Sequence, residues 1–261
     1  LYAALPIWLR RLPIRSREPG RYAPWSLKER ADVAEPRFAI CRAEKVKDPS
    51  ALSAMAGHQT RSRATINADP ERDNVILVGS GDPARDVLHR IDDAKVRRRK
   101  NGVLAIEIVL SASPAFFRPE APERAGLWDD QRLGTWTPKA LGWARKWFGQ
   151  GNVASAILHL DEATPHMHVV VVPVDDSPRE RGPQTRLNAS RWLDGREKLA
   201  AMQDSYASAM ADLGLERGIK GRRVSHQKVA TMYAQLARDS RAAADERQRA
   251  KDVASAVDAF A

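Results

Sequence analysis

The sequence of 261 residues predicts an α+β fold, an antiparallel-rich central sheet with helices against one face. Three observations carry that expectation. Two apolar runs, "NVASAILHLDE" and "HMHVVVVPV", are joined by the turn "EATP", which makes an antiparallel hairpin. A third run, "VLAIEIVLSAS", has the β-branched content and length of a strand. Stretches with helical spacing lie before and after these strands rather than alternating strictly with them, which favours α+β over a doubly wound parallel sheet.

In chain order, residues 1–36 are rich in Arg and Pro without a sustained period and read as a basic extension of low order. The globular part opens with the strand-like "RFAICRAEKVK". Next, "DPSALSAMAGHQTRSRATINADPERDN" reads as a short helix followed by loops. "NVILVGSGD" is a strand closed by a glycine turn, and "DPARDVLHRIDDAKVRRRK" a helix capped by Asp82 or its neighbour, with a basic last turn suited to the helix dipole. After the third apolar run, "TPKALGWARKWFGQ" is a helix with Trp143 and Trp147 at i, i+4 spacing, read as core residues. Beyond the hairpin the chain is mostly helical, interrupted by the glycines of "LERGIKGRR". Residues 237–261 begin a long polar helix with coiled-coil character. The start at Leu rather than Met and the helical end suggest a piece of a longer chain, and no internal repeat is present.

Charge narrows the function classes. The chain carries 43 Lys and Arg against 33 Asp and Glu, a formal +10, which favours a polyanionic partner, nucleic acid first and an acidic membrane surface second. A single cysteine, Cys41, excludes an internal disulfide and a Cys-rich zinc cluster, in keeping with a cytoplasmic setting. A bound metal would need His and carboxylate ligands. No apolar run approaches the roughly 18 residues that cross a bilayer.

The stretch "HLDEATPHMH" places three of the six histidines, an Asp and a Glu within ten residues. Side chains alternate along a strand, so His166 and His168 share a face. His159 falls across the hairpin from them, so the three imidazoles can converge as an open metal site, with Glu162 at the turn. Asp161 either caps the turn or supports a histidine as acceptor. Three imidazoles alone would suit Zn. His89, within a helix, reads as a solvated residue, and the run "KVRRRK" as either a phosphate-tracking patch or a solvated helix end.

"HLDEATPHMH" resembles the metal motif of the Mob/Pre family of plasmid mobilisation relaxases, also called plasmid recombination enzymes, within the wider HUH endonuclease class. "GHQTRSRATINADPERDN", "VLAIEIVLSASPAFF" and "LGLERGIKGRRVSHQKVATMYAQL" resemble further blocks of that family in the same order. The resemblance implies a relaxase domain over residues 37–236 with an HUH-type antiparallel sheet, and a protein that binds plasmid DNA at a transfer origin in single-stranded or hairpin form. It implies nicking of one strand, covalent attachment to the 5′ end, and resealing. Mn or Mg is the implied ion, held by His159, His166 and His168. A homodimer through further C-terminal sequence and the conjugation coupling machinery are the implied partners.

In this family the nucleophile is a histidine within a motif written H-N-x-R. The matching residues are His58 and Arg61, with Gln59 where Asn is usual, which leaves the role of that amide open. Glu162 is expected to orient or deprotonate His58, and Arg61, Arg63, Arg222 and Arg223 to contact DNA, as His226 in the same block also could. Asn67 and Asp69 are expected to shape the loop presenting His58. The residues themselves agree on one point: none of the four tyrosines, Tyr2, Tyr22, Tyr206 and Tyr233, lies near His58. Histidine is a competent covalent catalyst when activated. Two other readings share the same residues: a phosphodiesterase that uses water, and an inactive origin-binding protein.

Overall fold

The computed structural model describes residues 37–65, 67–96, 99, 102–178 and 185–218. The expected C-terminal helix, Arg222, Arg223 and His226 lie outside them, as does most of the "KVRRRK" run. Strand β1 (Phe38–Val46) leads into helix α1 (Pro49–Gln59), strand β2 (Val75–Val78), helix α2 (Pro83–Asp93) and strand β3 (Ala105–Ala112). A short turn of helix α3 (Pro114–Phe117) precedes the long helix α4 (Asp130–Phe148), and strands β4 (Val153–His159) and β5 (His166–Val171) form the predicted hairpin. The small strands β6 (Val174–Asp175) and β7 (Arg186–Leu187) pair with each other, and helix α5 (Gly195–Ala209) and strand β8 (Glu216–Arg217) follow.

The main sheet has the order β2-β4-β5-β3-β1-β8, antiparallel throughout except for the parallel β1–β8 contact. Alternation along the central strands divides the core in two. Ile106, Ile108 and Leu110 of β3, with Met167, Val169 and Val171 of β5, face Trp136, Trp143, Phe148 and Tyr206 of α4 and α5. Val170 and Val172 face Leu52 and Met55 of α1 and Val87 and Ile91 of α2. Helices therefore cover both faces, where the sequence suggested one. The short apolar stripes of α1 and α2 gave little sign of the second layer, and burial of Val170 between two apolar surfaces requires it.

Local chemistry sets the helix ends. Asp82 caps α2, accepting from the amides of Ala84 and Arg85 at 3.1 Å each, with Pro83 in the first turn where its missing N–H costs nothing. This helix stops at Asp93, before the basic run that the sequence reading included in it. Helix α4 starts seven residues earlier than "TPK" suggested and carries Pro138 inside it. Asp129 caps it, and burial of Leu133 and Trp136 offsets an internal proline, which costs about 3 kcal/mol. Trp143 and Trp147 stack on each other with ring centroids 6.1 Å apart, and the indole N–H of Trp143 donates to Ser205, as core residues do. His89 is exposed and pairs with Asp93. Among the described residues no helix is long and apolar enough to cross a membrane.

Candidate metal and nucleic-acid site

Strand register builds the site. His159 pairs directly with His166 across the β4–β5 hairpin, and Ile157 with His168, so the three histidines share one face of the sheet. Their ring centroids lie 4.5 Å (His159–His168), 5.0 Å (His166–His168) and 5.1 Å (His159–His166) apart. The last turn of α1 brings His58 over them, with centroids 5.5 Å from His168 and 6.0 Å from His159. Ligand atoms within 4.8 Å of one another form two groups: His58, His159 and His168, and His159, Glu162 and His166.

Arg61 ties these elements together. It adopts a left-handed backbone conformation (φ 58°) just past α1, which turns its side chain back into the site. Its guanidinium donates to both carboxylate oxygens of Asp161 (2.6 and 2.7 Å), to Glu162 (2.6 Å), to Nδ1 of His159 (2.9 Å) and to the carbonyl of His58 (2.8 Å). A guanidinium has five N–H groups, so little of Arg61 remains for a phosphate, the role read from sequence. Asp161 neither caps the turn nor holds a histidine. It holds Arg61 and accepts from Asn74 (3.0 Å), while the amide of Asp69 donates to its carbonyl.

The expected contact between Glu162 and His58 is replaced by an indirect one. Glu162 accepts from Arg61 and from Asn67 (2.7 Å), and reaches His58 through the arginine. Burial alone would raise the Glu162 carboxyl, but the polar groups around it, the Arg61 guanidinium at 2.6 Å among them, hold it far below the usual carboxylate range. It is therefore a weak base. Arg63 is exposed, its stem resting against Gly57, where a Cβ would come within 2.9 Å.

Sequence reasoning missed Glu107. It lies on β3, on the same face as the histidines and one diagonal position from His168. One of its oxygens accepts from Nδ1 of His168 (2.8 Å) and from the side-chain amide of Gln59 (2.7 Å). The signal was present: one carboxylate inside the apolar run "VLAIEIVL", in phase with the histidines. Arg118 was also missed. It donates to the carbonyls of Pro122, Leu127 and Ala163 and to the hydroxyl of Thr164, which braces the turn before His166.

These donors fit a divalent cation. Burial lowers the pKa of His159, His166 and His168, which favours the neutral rings that a metal needs, and His166 and His168 have lone pairs to offer. Glu107 accepting from Nδ1 fixes His168 with its Nε2 lone pair in the site, and that buried atom has no partner among the described residues. The carbonyl of Thr164 does the same for His166. His159 differs: its Nδ1 lies 2.9 Å from the Arg61 guanidinium and its Nε2 3.2 Å from the carbonyl of Gln59, so it would give up one of these contacts to serve as a ligand. Glu107, Asp161 and Glu162 against Arg61 leave a net charge of about −2, which a divalent cation would cancel.

The antiparallel sheet, with convergent imidazoles beneath a histidine-tipped helix, has the fold of relaxase domains. Solved structures share the fold. The MobM relaxase domain, Mn-bound and in complex with origin DNA of plasmid pMV158, superposes with a TM-score of 0.62 at 25% identity, over 76% of this chain and 99% of that one. A second Mn-bound MobM structure with origin DNA of that plasmid gives 0.60 at 26% identity and 76% coverage of this chain. The model of the plasmid recombination enzyme (Mob/Pre) family matches residues 35–234, and the chain belongs to that family. A 65 kDa protein of Zymomonas mobilis is 41% identical over 208 residues, and a plasmid recombination enzyme of a Bacillus species 28% over 196. These matches cover 77% and 70% of this chain, but the chain spans 33% and 43% of those relatives.

Proposed function

We propose that this domain nicks one strand of plasmid DNA at a transfer origin with His58 as the nucleophile, and reseals it by the reverse reaction. The observation that carries this reading is the placement of His58 against His159 and His168, which puts a nitrogen nucleophile beside the atoms that would hold a cation. His159, His166 and His168 would hold Mn or Mg, with Glu162 close by. When bound, the ion supplies charge neutralisation at the phosphate oxygens.

The chain's own residues do the rest. Arg61 anchors the carbonyl of His58 and so fixes the end of α1 over the sheet. Exposed Arg63 draws in the DNA backbone, and Arg222 and Arg223 extend that role. A ring nitrogen of His58 attacks phosphorus and the P–O3′ bond breaks. The other ring nitrogen gives up its proton, and the 3′-oxygen takes one up. The product is a phosphoramidate on the 5′ end and a free 3′-hydroxyl. Because the P–N bond retains the energy of the P–O bond, a 3′-hydroxyl reverses the step without ATP. Glu162 acts here by orientation, through Arg61, rather than as the proton acceptor. Partners follow from this reading: origin DNA, the coupling machinery of conjugation, and a second copy through sequence beyond this domain.

One observation favours a second reading. His58 is near enough to His159 and His168 to be a ligand itself, which would suit a metal-dependent nuclease that uses water. The test is to incubate the protein and its His58→Ala variant with Mn and single-stranded DNA spanning the inverted repeat beside its gene. Cleavage with a protein-bound 5′ product that vanishes in the variant supports the nucleophile. Cleavage without an adduct supports the nuclease, and binding without cleavage an origin-binding protein.

A further inference from the structure

We propose that Gln59 is a positioning residue for the metal site, an inference that rests on the metal-binding reading above. It follows the candidate nucleophile directly and is 1% exposed. Its side-chain amide donates to the Glu107 oxygen that also accepts from Nδ1 of His168, and its backbone carbonyl faces Nε2 of His159. A single residue therefore reaches two of the three sheet imidazoles from the end of the helix that carries His58.

The orientation of the amide is fixed by chemistry. An ionised carboxylate only accepts, so the nitrogen of Gln59 must face Glu107. With the amide in place, the shared oxygen of Glu107 stays in line with Nδ1 of His168, and Nε2 of His168 stays directed into the site. Without it, the carboxylate is free to rotate on its stem, and the tautomer and tilt of His168 are no longer held.

Stability does not explain this amide. Its Oε1 is buried and has no hydrogen-bond partner among the described residues, so an apolar side chain of the same length would remove an unsatisfied acceptor. Asparagine, usual at this position by the family resemblance, is one methylene shorter and would not span to Glu107 from the same backbone. The longer side chain and Glu107 thus work as a pair in this chain.

The experiment is a double-mutant cycle on the whole chain: Gln59→Met, Glu107→Met and both together, with Mn affinity read by calorimetry and the melting temperature read in chelator. Gln59→Met should weaken Mn binding about tenfold or more while the metal-free melting temperature holds or rises. In the Glu107→Met background the same change should alter affinity less than about twofold, because the residue it acts through is gone. Unchanged affinity in Gln59→Met overturns the proposal. So do losses that add in the double variant, or that track a fall in the metal-free melting temperature. Failure of the metal reading is separate: a wild-type chain that binds no Mn, or binding that survives His168→Ala, would remove the site itself.

Discussion

Replacing Arg61 by Met should be among the most damaging single changes in the domain. The guanidinium holds both oxygens of Asp161 at 2.6 and 2.7 Å, and the side chains are 20% and 3% exposed. Truncation leaves a buried carboxylate with Asn74 as its remaining side-chain donor, and Glu162 with Asn67. Breaking a buried ion pair from one side costs about 3–5 kcal/mol. For a domain of this size that corresponds to a fall of on the order of 10 °C in melting temperature. The assay is urea unfolding in chelator followed by tryptophan fluorescence, since Trp136 and Trp143 are buried in the main core. Arg61→Lys should recover part of the loss, because an ammonium cannot bind Asp161 through a planar fork. A loss below about 1 kcal/mol for Arg61→Met would refute the view that Arg61 is the structural link between α1 and the hairpin.

Other residues give independent checks. Tyr206→Phe should cost about 1–3 kcal/mol in the same assay, since its hydroxyl accepts from Trp136 (2.9 Å) and donates to the carbonyl of Ser111 (3.2 Å), all buried. Arg118→Met should slow DNA cleavage, because the turn between β4 and β5 loses its brace, while DNA affinity measured by filter binding stays near wild type. Burial pushes the Cys41 thiol up to about 12, against a nearby Arg217 that favours the thiolate. A folded-state value raised above the unfolded one gives stability that is present below about pH 9 and lost as pH rises towards 12. Iodoacetamide at pH 8.5 should therefore leave Cys41 unmodified by mass spectrometry until urea unfolds the chain.

The β4–β5 hairpin and its histidines were legible in the sequence because period-2 alternation fixes the face and a proline turn joins the strands. The shared face of the three histidines follows from those facts, but the register does not: a turn centred on "EATP" sets His159 opposite His168, and the structure pairs it with His166. The cap at Asp82 was legible for the same reason, since it is a local signal. What was not legible depends on distance along the chain. Arg61 looks like a phosphate-binding residue in a basic loop, and its neutralisation by Asp161 requires a contact 100 residues away. Glu107 offered a hint by its phase in β3, but its partners Gln59 and His168 come from two other elements. The start of α4 was hidden because Pro138 normally marks a helix beginning, and here tertiary burial of Leu133 and Trp136 outweighs that preference.

The most direct test of the central claim is to trap the protein on origin DNA, digest the complex with protease and nuclease, and locate the modified residue by mass spectrometry. A nucleotide on His58, through a bond that acid cleaves and alkali does not, is the predicted result. An adduct on a tyrosine, or DNA cleaved with no modified peptide at all, would contradict it.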